Sequence, residues 1–336
     1  MRVLFVANDD SDYLAKCHEA FRTGLRRMLD VRMFGRGYPG YDPTLTTYAQ
    51  IIPHIFPDAQ PDLIIAELNA DPPTGFTVAD ASGLSIPVAT ILGDYWNYHG
   101  EKGALLASFL EQRGIDLVLS YFLQGLELFE GTPLASRFCV MPPSVDPQIY
   151  NDWQQPKIYD VGFLAAGTTE YTNFYPERFQ IHERLKSRSD LRYLWAAHPG
   201  WGRHSTSHPL VGKNFSKAIN SCRTFVTTGG VFRSAHAKYV EILASRTVLL
   251  ADTPIGAELL GLQDGVNYVA INPDNVEEKL AYLLANPDIC ERIAEEGYRL
   301  ALSQHSCYSR ALDFYVTCQD FFGPGFGEPG FKRNLM

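Results

Sequence analysis

Along this chain, apolar residues fall into short unbroken runs separated by longer amphipathic or polar stretches. Residues 2–7 form the first run, the pattern of a strand buried on both faces. A charged, helix-compatible stretch over 11–29 follows. Further apolar runs at 62–67, 86–92, 116–120 and 138–141 predict four more strands, with a helix over 103–113 between two of them. Pro142, Pro143 and Pro147 then interrupt the chain, and the segment 153–157 is Trp-Gln-Gln-Pro-Lys. Proline removes a ladder donor and turns its predecessor away from helix, so a domain boundary is expected near residues 148–157.

Beyond it the alternation restarts. Strands are expected at 159–165, 191–197, 224–228, 247–251 and 266–271. Helices are expected at 176–186, 235–245, 276–284 and 287–302, the last with Pro287 in its first turn. Strands alternating with helices predict parallel sheets covered on both faces. The expected organisation is α/β: a first doubly wound domain over 1–150, a second over 151–322, and a loosely ordered Gly- and Pro-rich tail over 323–336. A late helix near 308–321 is expected to pack back on the first domain. Two such domains imply a cleft, and ligands of open parallel sheets sit outside the carboxyl ends of the strands.

Composition narrows the picture. The 336 residues are 46% hydrophobic and 20% charged, which excludes a disordered chain or a coiled coil. A net charge of −9 disfavours nucleic acid or an anionic membrane as a partner. No run of 18 apolar residues predicts a membrane span. The first run turns acidic at Asp9 and Asp10, unlike an export signal, and the six cysteines form no C-x-x-C pair. Reduced thiols and a cytoplasmic location are therefore expected.

Several familiar chemistries lack their motifs. The first strand ends in Ala7-Asn8-Asp9-Asp10 without G-x-G-x-x-G, and neither G-x-x-x-x-G-K-[ST] nor G-x-S-x-G occurs. H-E-x-x-H is absent and the nine histidines are dispersed, so no metal centre is expected. The informative stretch is 238–258. Glu241 is a lone carboxylate among Val240, Ile242 and Leu243 on a short helix beside a buried strand. So placed, it can accept from two neighbouring hydroxyls, such as those of a ribose. Alternatively it pairs with Lys238 on a surface helix.

The order of motifs resembles the group-1 glycosyltransferases of the GT-B fold, most of all the branch named after the spore-maturation proteins. The resemblance is carried by Tyr239 and Glu241, the acidic turn at Asp252, Asp264-Gly265-Val266-Asn267-Tyr268 and the closing His305-Ser306-Cys307-Tyr308-Ser309-Arg310. The segment 141–150 is similar to the family's linker, and Asp160-Val161-Gly162-Phe163 to the strand that opens its second domain. Three positions depart. The family's Arg is Lys238, its Gly after the Glu helix is Arg246, and a first Glu eight positions before Glu241 is Arg233.

The resemblance implies two Rossmann-like domains, the second binding a UDP- or GDP-linked sugar donor with Glu241 as the ribose ligand, and no cofactor beyond that donor. Without a bound metal, the departing diphosphate needs cations and N–H groups. The candidates are Lys238, Arg233, Arg178, Lys213, Gly229 and Gly230, with Gly167, Thr168 and Thr169 on the loop expected to face the donor. In the first domain Asp94, beside Tyr95 and Trp96, is the candidate base toward an acceptor hydroxyl, with His99 as a secondary candidate; His198, in the second domain, is a further candidate on the donor side. An epimerase acting on the same donor and a non-catalytic nucleotide-sugar-binding protein are the alternatives.

Overall fold

The computed structural model describes residues 1–13, 16–68, 79–98, 100–168, 171–198 and 207–328. It divides into two compact units: Met1–Asp9, Arg22–Met141 and Arg310–Met336 in the first, and Asp10–Phe21 with Pro142–Ser309 in the second.

The first unit is built on six parallel strands: β1 (Arg2–Val6), β2 (Asp30–Phe34), β3 (Leu63–Glu67), β4 (Val88–Leu92), β5 (Leu117–Ser120) and β6 (Phe138–Val140). Their order is β2-β1-β3-β4-β5-β6. Leu4, Phe5, Ile64, Ile65, Val88 and Val118 are fully buried, as continuous apolar strands require. Each such side chain contributes roughly 1.5–3 kcal/mol by leaving water. Helices α1 (Cys17–Met28), α2 (Tyr48–Ile55) and α3 (Glu101–Gln112) connect the early strands.

The second unit carries β7 (Tyr159–Phe163), β8 (Tyr193–Trp195), β9 (Cys222–Thr227), β10 (Val248–Ala251) and β11 (Val269–Ala270), in the order β11-β10-β9-β7-β8. All pairings are parallel. The helices are α4 (Pro176–Lys186), α5 (Gly212–Asn220), α6 (Ala237–Ala244), α7 (Val276–Ala285) and α8 (Pro287–Gln304). Two apolar clusters form the core of this unit. One joins Phe225 and Leu249 to Tyr239, Ile242 and Leu243 of α6; the other joins Val161, Phe163 and Val226 to Ile181, Leu280 and Ile293.

The final helix, α9 (Cys307–Phe322), begins in the second unit and continues into the first. The proline-rich segment 142–157 lies wholly in the second unit. Its polar groups are taken up there: Trp153 Nε1 donates to Ser216 Oγ at 3.0 Å, and Asn220 Nδ2 donates to Asp152 Oδ1 at 3.2 Å. Of the Gly- and Pro-rich tail, residues 323–328 are described. The Gln319 side chain accepts from Gly325 N at 2.6 Å, and Phe326 is buried against Phe322.

Candidate functional site

In the second unit the strand order reverses between β7 and β9, and the loops leaving these strands mark the place where such sheets bind ligands. Arg178, on the first turn of α4, lies beneath both loops and is 3% exposed. Its Nη1 donates to the Ala166 carbonyl and its Nε to the Thr228 carbonyl, both at 3.1 Å, and the guanidinium stacks 3.7 Å from the centre of the Tyr175 ring. The cation is thus consumed by two strand-end carbonyls and acts as a bolt between the loops. Gly167, at φ +92°, is needed because a Cβ would come within 2.4 Å of Tyr175 Cβ; Thr168 beside it is buried, its hydroxyl donating to Ala165 O at 3.3 Å. Gly230, at φ +69°, leaves no room for a side chain against the Phe174 carbonyl.

Asp252, just past β10, ties the second loop to the helix that follows. Its Oδ1 accepts from the Gly229 N–H at 2.8 Å and from the buried Tyr239 hydroxyl. The His236 ring, at the start of α6, meets the Gly229 carbonyl at 3.2 Å, so Nε2 carries the proton. Desolvation and then the neighbouring Arg178 cation push the pKa of His236 down to about 3, and the ring is neutral at ordinary pH. Glu177 faces this corner. Burial and then repulsion from Asp252 raise its carboxyl above the usual range, and Arg233 opposes them. Arg233 is exposed, left-handed at φ +48°, and donates to the Thr253 carbonyl at 2.7 Å.

Glu241 stands one turn further along α6. Although charged, it is 5% exposed. Burial raises its pKa; the Lys238 ammonium and a hydrogen bond from the Tyr150 hydroxyl pull it back toward the ionised form. Lys238 itself is lowered by burial, against the attraction of Glu241, and its ammonium lies 5.4 Å from the centre of the Phe215 ring. The carboxylate is therefore neither the surface partner of a solvated lysine nor an apolar helix position. Lys213 is exposed on α5 with its ammonium over the Trp153 ring at 3.9 Å, and His198 follows β8, partly buried.

In the first unit, Asp94 is exposed directly after β4, and its carbonyl accepts from Asn97 N at 3.0 Å to open a single turn over Tyr95–Tyr98. Tyr95 is buried and meets Trp96 edge-on at 5.4 Å; Trp96 lies as close to Phe122. Tyr95 thus belongs to the core, and Trp96 is the partly exposed ring. His99 and Thr169 lie outside the described residues. Among the described residues, no group of three or more His, Cys, Asp or Glu side chains is disposed to hold a metal ion. Nor, among them, is any helix long and apolar enough to cross a membrane.

Comparison with known proteins matches these units to one architecture. Residues 178–315 fit a family model described as glycosyl transferase-like. A sucrose-phosphate synthase from Thermosynechococcus elongatus superposes over 96% of this chain and 99% of its own, at 10% identity and a TM-score of 0.60. A glycosyltransferase from Rickettsia africae covers 95% and 98%, at 10% identity and a TM-score of 0.58. The Anabaena protein HepE, solved in complex with UDP, covers 95% and 100%, at 12% identity and a TM-score of 0.57. The fold is GT-B. No curated protein matches the sequence.

Within this GT-B chain the second unit gathers Gly167, Thr168, Arg178, Gly229, Gly230, Arg233, Lys238 and Glu241 on the loops after its strands, on α4 and on α6, while Asp94 belongs to the first unit. Reasoning from sequence missed Asp252 and His236 as organisers and Tyr150 as a core neighbour of α6. It also missed Arg22, fully buried in the first unit, which clasps Glu67 at the end of β3 and donates to the Asn8 carbonyl at 2.9 Å. A charged residue closing an apolar strand, as Glu67 does, was the available signal. Tyr150 gave none, since only the fold brings it to α6.

Proposed function

We propose that this GT-B protein is a glycosyltransferase that moves a sugar from a UDP-linked donor to an acceptor hydroxyl. The observation that carries this reading is Glu241, a buried carboxylate on α6 within the segment that fits the family model. Keeping a carboxylate at 5% exposure is costly unless hydrogen-bond donors repay the lost water. A ribose offers two hydroxyls at the right spacing, and a site built for them discriminates strongly against ligands that lack them. Uridine diphosphate as the carrier is supported by HepE, which was solved with UDP and with UDP-glucose.

In the reaction the bond from the sugar's anomeric carbon to the diphosphate oxygen breaks, and a bond to the acceptor oxygen forms. The departing diphosphate gains negative charge, which Lys238 is best suited to meet; Arg178 and the Gly229 N–H are already engaged by the protein itself. Arg178 then contributes by shaping the loops. Asp94 is the proposed acceptor of the hydroxyl proton if the configuration inverts. Independence from divalent metal is part of the proposal, as is the narrower likeness to the spore-maturation-protein branch. The latter rests on the order of the motifs from Tyr239 to Arg310.

A panel of nucleotide sugars incubated with and without candidate acceptors, in the presence and absence of a chelator, tests the reading. A transferase releases UDP with an acceptor-dependent glycoside whether or not metal is available. Donor conversion without acceptor would instead identify an epimerase, and affinity without turnover a binding protein.

A further inference from the structure

The first unit carries a buried ion pair that the proposed reaction does not use. In its sheet the strand order reverses between β1 and β3, so the crevice at the carboxyl ends of these strands is this unit's own place for a ligand. Glu67, the last residue of β3, stands there. Arg22 of α1 grips its carboxylate with two parallel bonds: Nε donates to Oε1 at 3.1 Å, and Nη2 donates to Oε2. The arginine side chain is fully buried, whereas the glutamate side chain is 11% exposed, so the carboxylate is the part of the pair that a ligand meets. The guanidinium is fixed in turn. Its Nη1 donates to the Asn8 carbonyl at 2.9 Å and to the Tyr38 hydroxyl at 3.3 Å, and its central carbon lies 5.7 Å from the centre of the Phe5 ring.

On the β1 side of the crevice the loops are closed on each other. Ala7 N donates to Phe34 O at 3.0 Å, Asp9 N to Arg36 O at 2.9 Å, and Arg36 N to Asn8 Oδ1 at 3.3 Å. Gly37, at φ +98°, leaves no room for a side chain, since a Cβ would lie 2.6 Å from Asp9 Cβ. On the other side Glu67 is in register with Ile91 of β4, and Leu68 N donates to Ile91 O at 3.2 Å. Asp94 follows three residues after Ile91. The two carboxylates therefore leave neighbouring strands at the same end of one sheet. Trp96, two residues further, adds a half-buried aromatic ring at that end. A buried ion pair adds little net stability over apolar side chains of similar volume, so stability alone does not account for Arg22 and Glu67.

We propose that Glu67 binds the acceptor, and that the acceptor is a sugar: the carboxylate, clamped by Arg22, accepts from one sugar hydroxyl while Asp94 serves the hydroxyl that reacts. The proposal rests on the reading of the chain as a transferase whose acceptor lies in the first unit. The clamp uses two of the roughly four acceptor sites of the carboxylate and leaves two for the ligand. Glu67 is a binding residue and Arg22 its positioning residue; no bond is made or broken on either.

The test is a titration, followed by ligand-observed NMR, of the methyl glycosides of glucose, galactose and mannose into the full chain. Wild type is compared with Glu67→Gln and with the double variant Arg22→Met/Glu67→Gln, which removes the pair and leaves no buried charge unpaired. Wild type is expected to bind at least one glycoside. Both variants are expected to bind it roughly tenfold more weakly, with UDP affinity unchanged and the urea midpoint of the double variant close to that of wild type. Binding of none of the glycosides to wild type would overturn the proposal. So would recovery of wild-type affinity in the double variant, the result expected of a purely structural pair. Failure of the transferase reading looks different: UDP would not bind, or no acceptor-dependent product would form, while glycoside binding still depended on Glu67.

Discussion

Arg178 and Glu241 are both buried charges, and their partners assign them different work. Arg178 spends its donors on two strand-end carbonyls, so its loss should be felt in folding. Replacing it by Met leaves those carbonyls unsatisfied and is expected to cost about 2–3 kcal/mol in urea denaturation. Glu241, 5% exposed, is a carboxylate with capacity to accept about four hydrogen bonds. Arg246, which stands where the resemblance expects glycine, is also accounted for. It adopts φ +48°, and its guanidinium reaches Asp152 at 3.2 Å and Glu295 at 2.9 Å, as well as Glu291, on the linker side of α6. The cost of the left-handed conformation, about 1 kcal/mol, is offset by that network.

At the scale of elements, the strands were legible because parallel strands buried on both faces leave apolar runs no helix would need. Pro176 likewise marked the start of α4 to the residue. Three elements were not legible, for physical reasons. Strand β2 is an edge strand whose burial alternates, with Asp30 exposed and Arg32 over the Phe56 ring at 4.3 Å, so its sequence reads as polar. Helix α2 contains Pro53 near its end, which reads as punctuation rather than helix. Helix α5 has only nine residues, too short for its period to stand out. Pairing between elements was equally invisible: Asp160 on β7 is bound by Arg192, whose Nε donates at 3.1 Å and whose backbone N–H donates at 2.9 Å. These bonds, the Arg192 side chain first, hold the Asp160 carboxyl below its usual range. A lowered folded-state pKa gives stability that is present above the unfolded value, near ~3.9, and is lost as pH falls through the folded one. Because Arg192 is half exposed, the expected cost of Asp160→Asn at pH 7 is only about 1 kcal/mol. Urea melts at pH 7, 5 and 3 should show that gap closing at the acid end; a gap independent of pH would contradict the assignment.

At the scale of the whole molecule, two parallel-sheet units and the GT-B architecture were readable from the alternation of strands and helices and from motif order. The crossings of the chain were not. Residues 10–21 and 142–157 join the second unit, because such membership is decided by long-range contacts. Of the site, Glu241 was legible as a carboxylate among apolar neighbours, whereas Tyr150, Asp252 and His236 reach it or its loops only through the fold. The most direct measurement is a calorimetric titration of UDP into the wild-type chain and into folded Glu241→Ala. With the ribose held by Glu241, wild type binds UDP and the variant binds it more weakly by about 1–3 kcal/mol, roughly 5- to 150-fold. Equal affinities, or no binding to wild type, would contradict it.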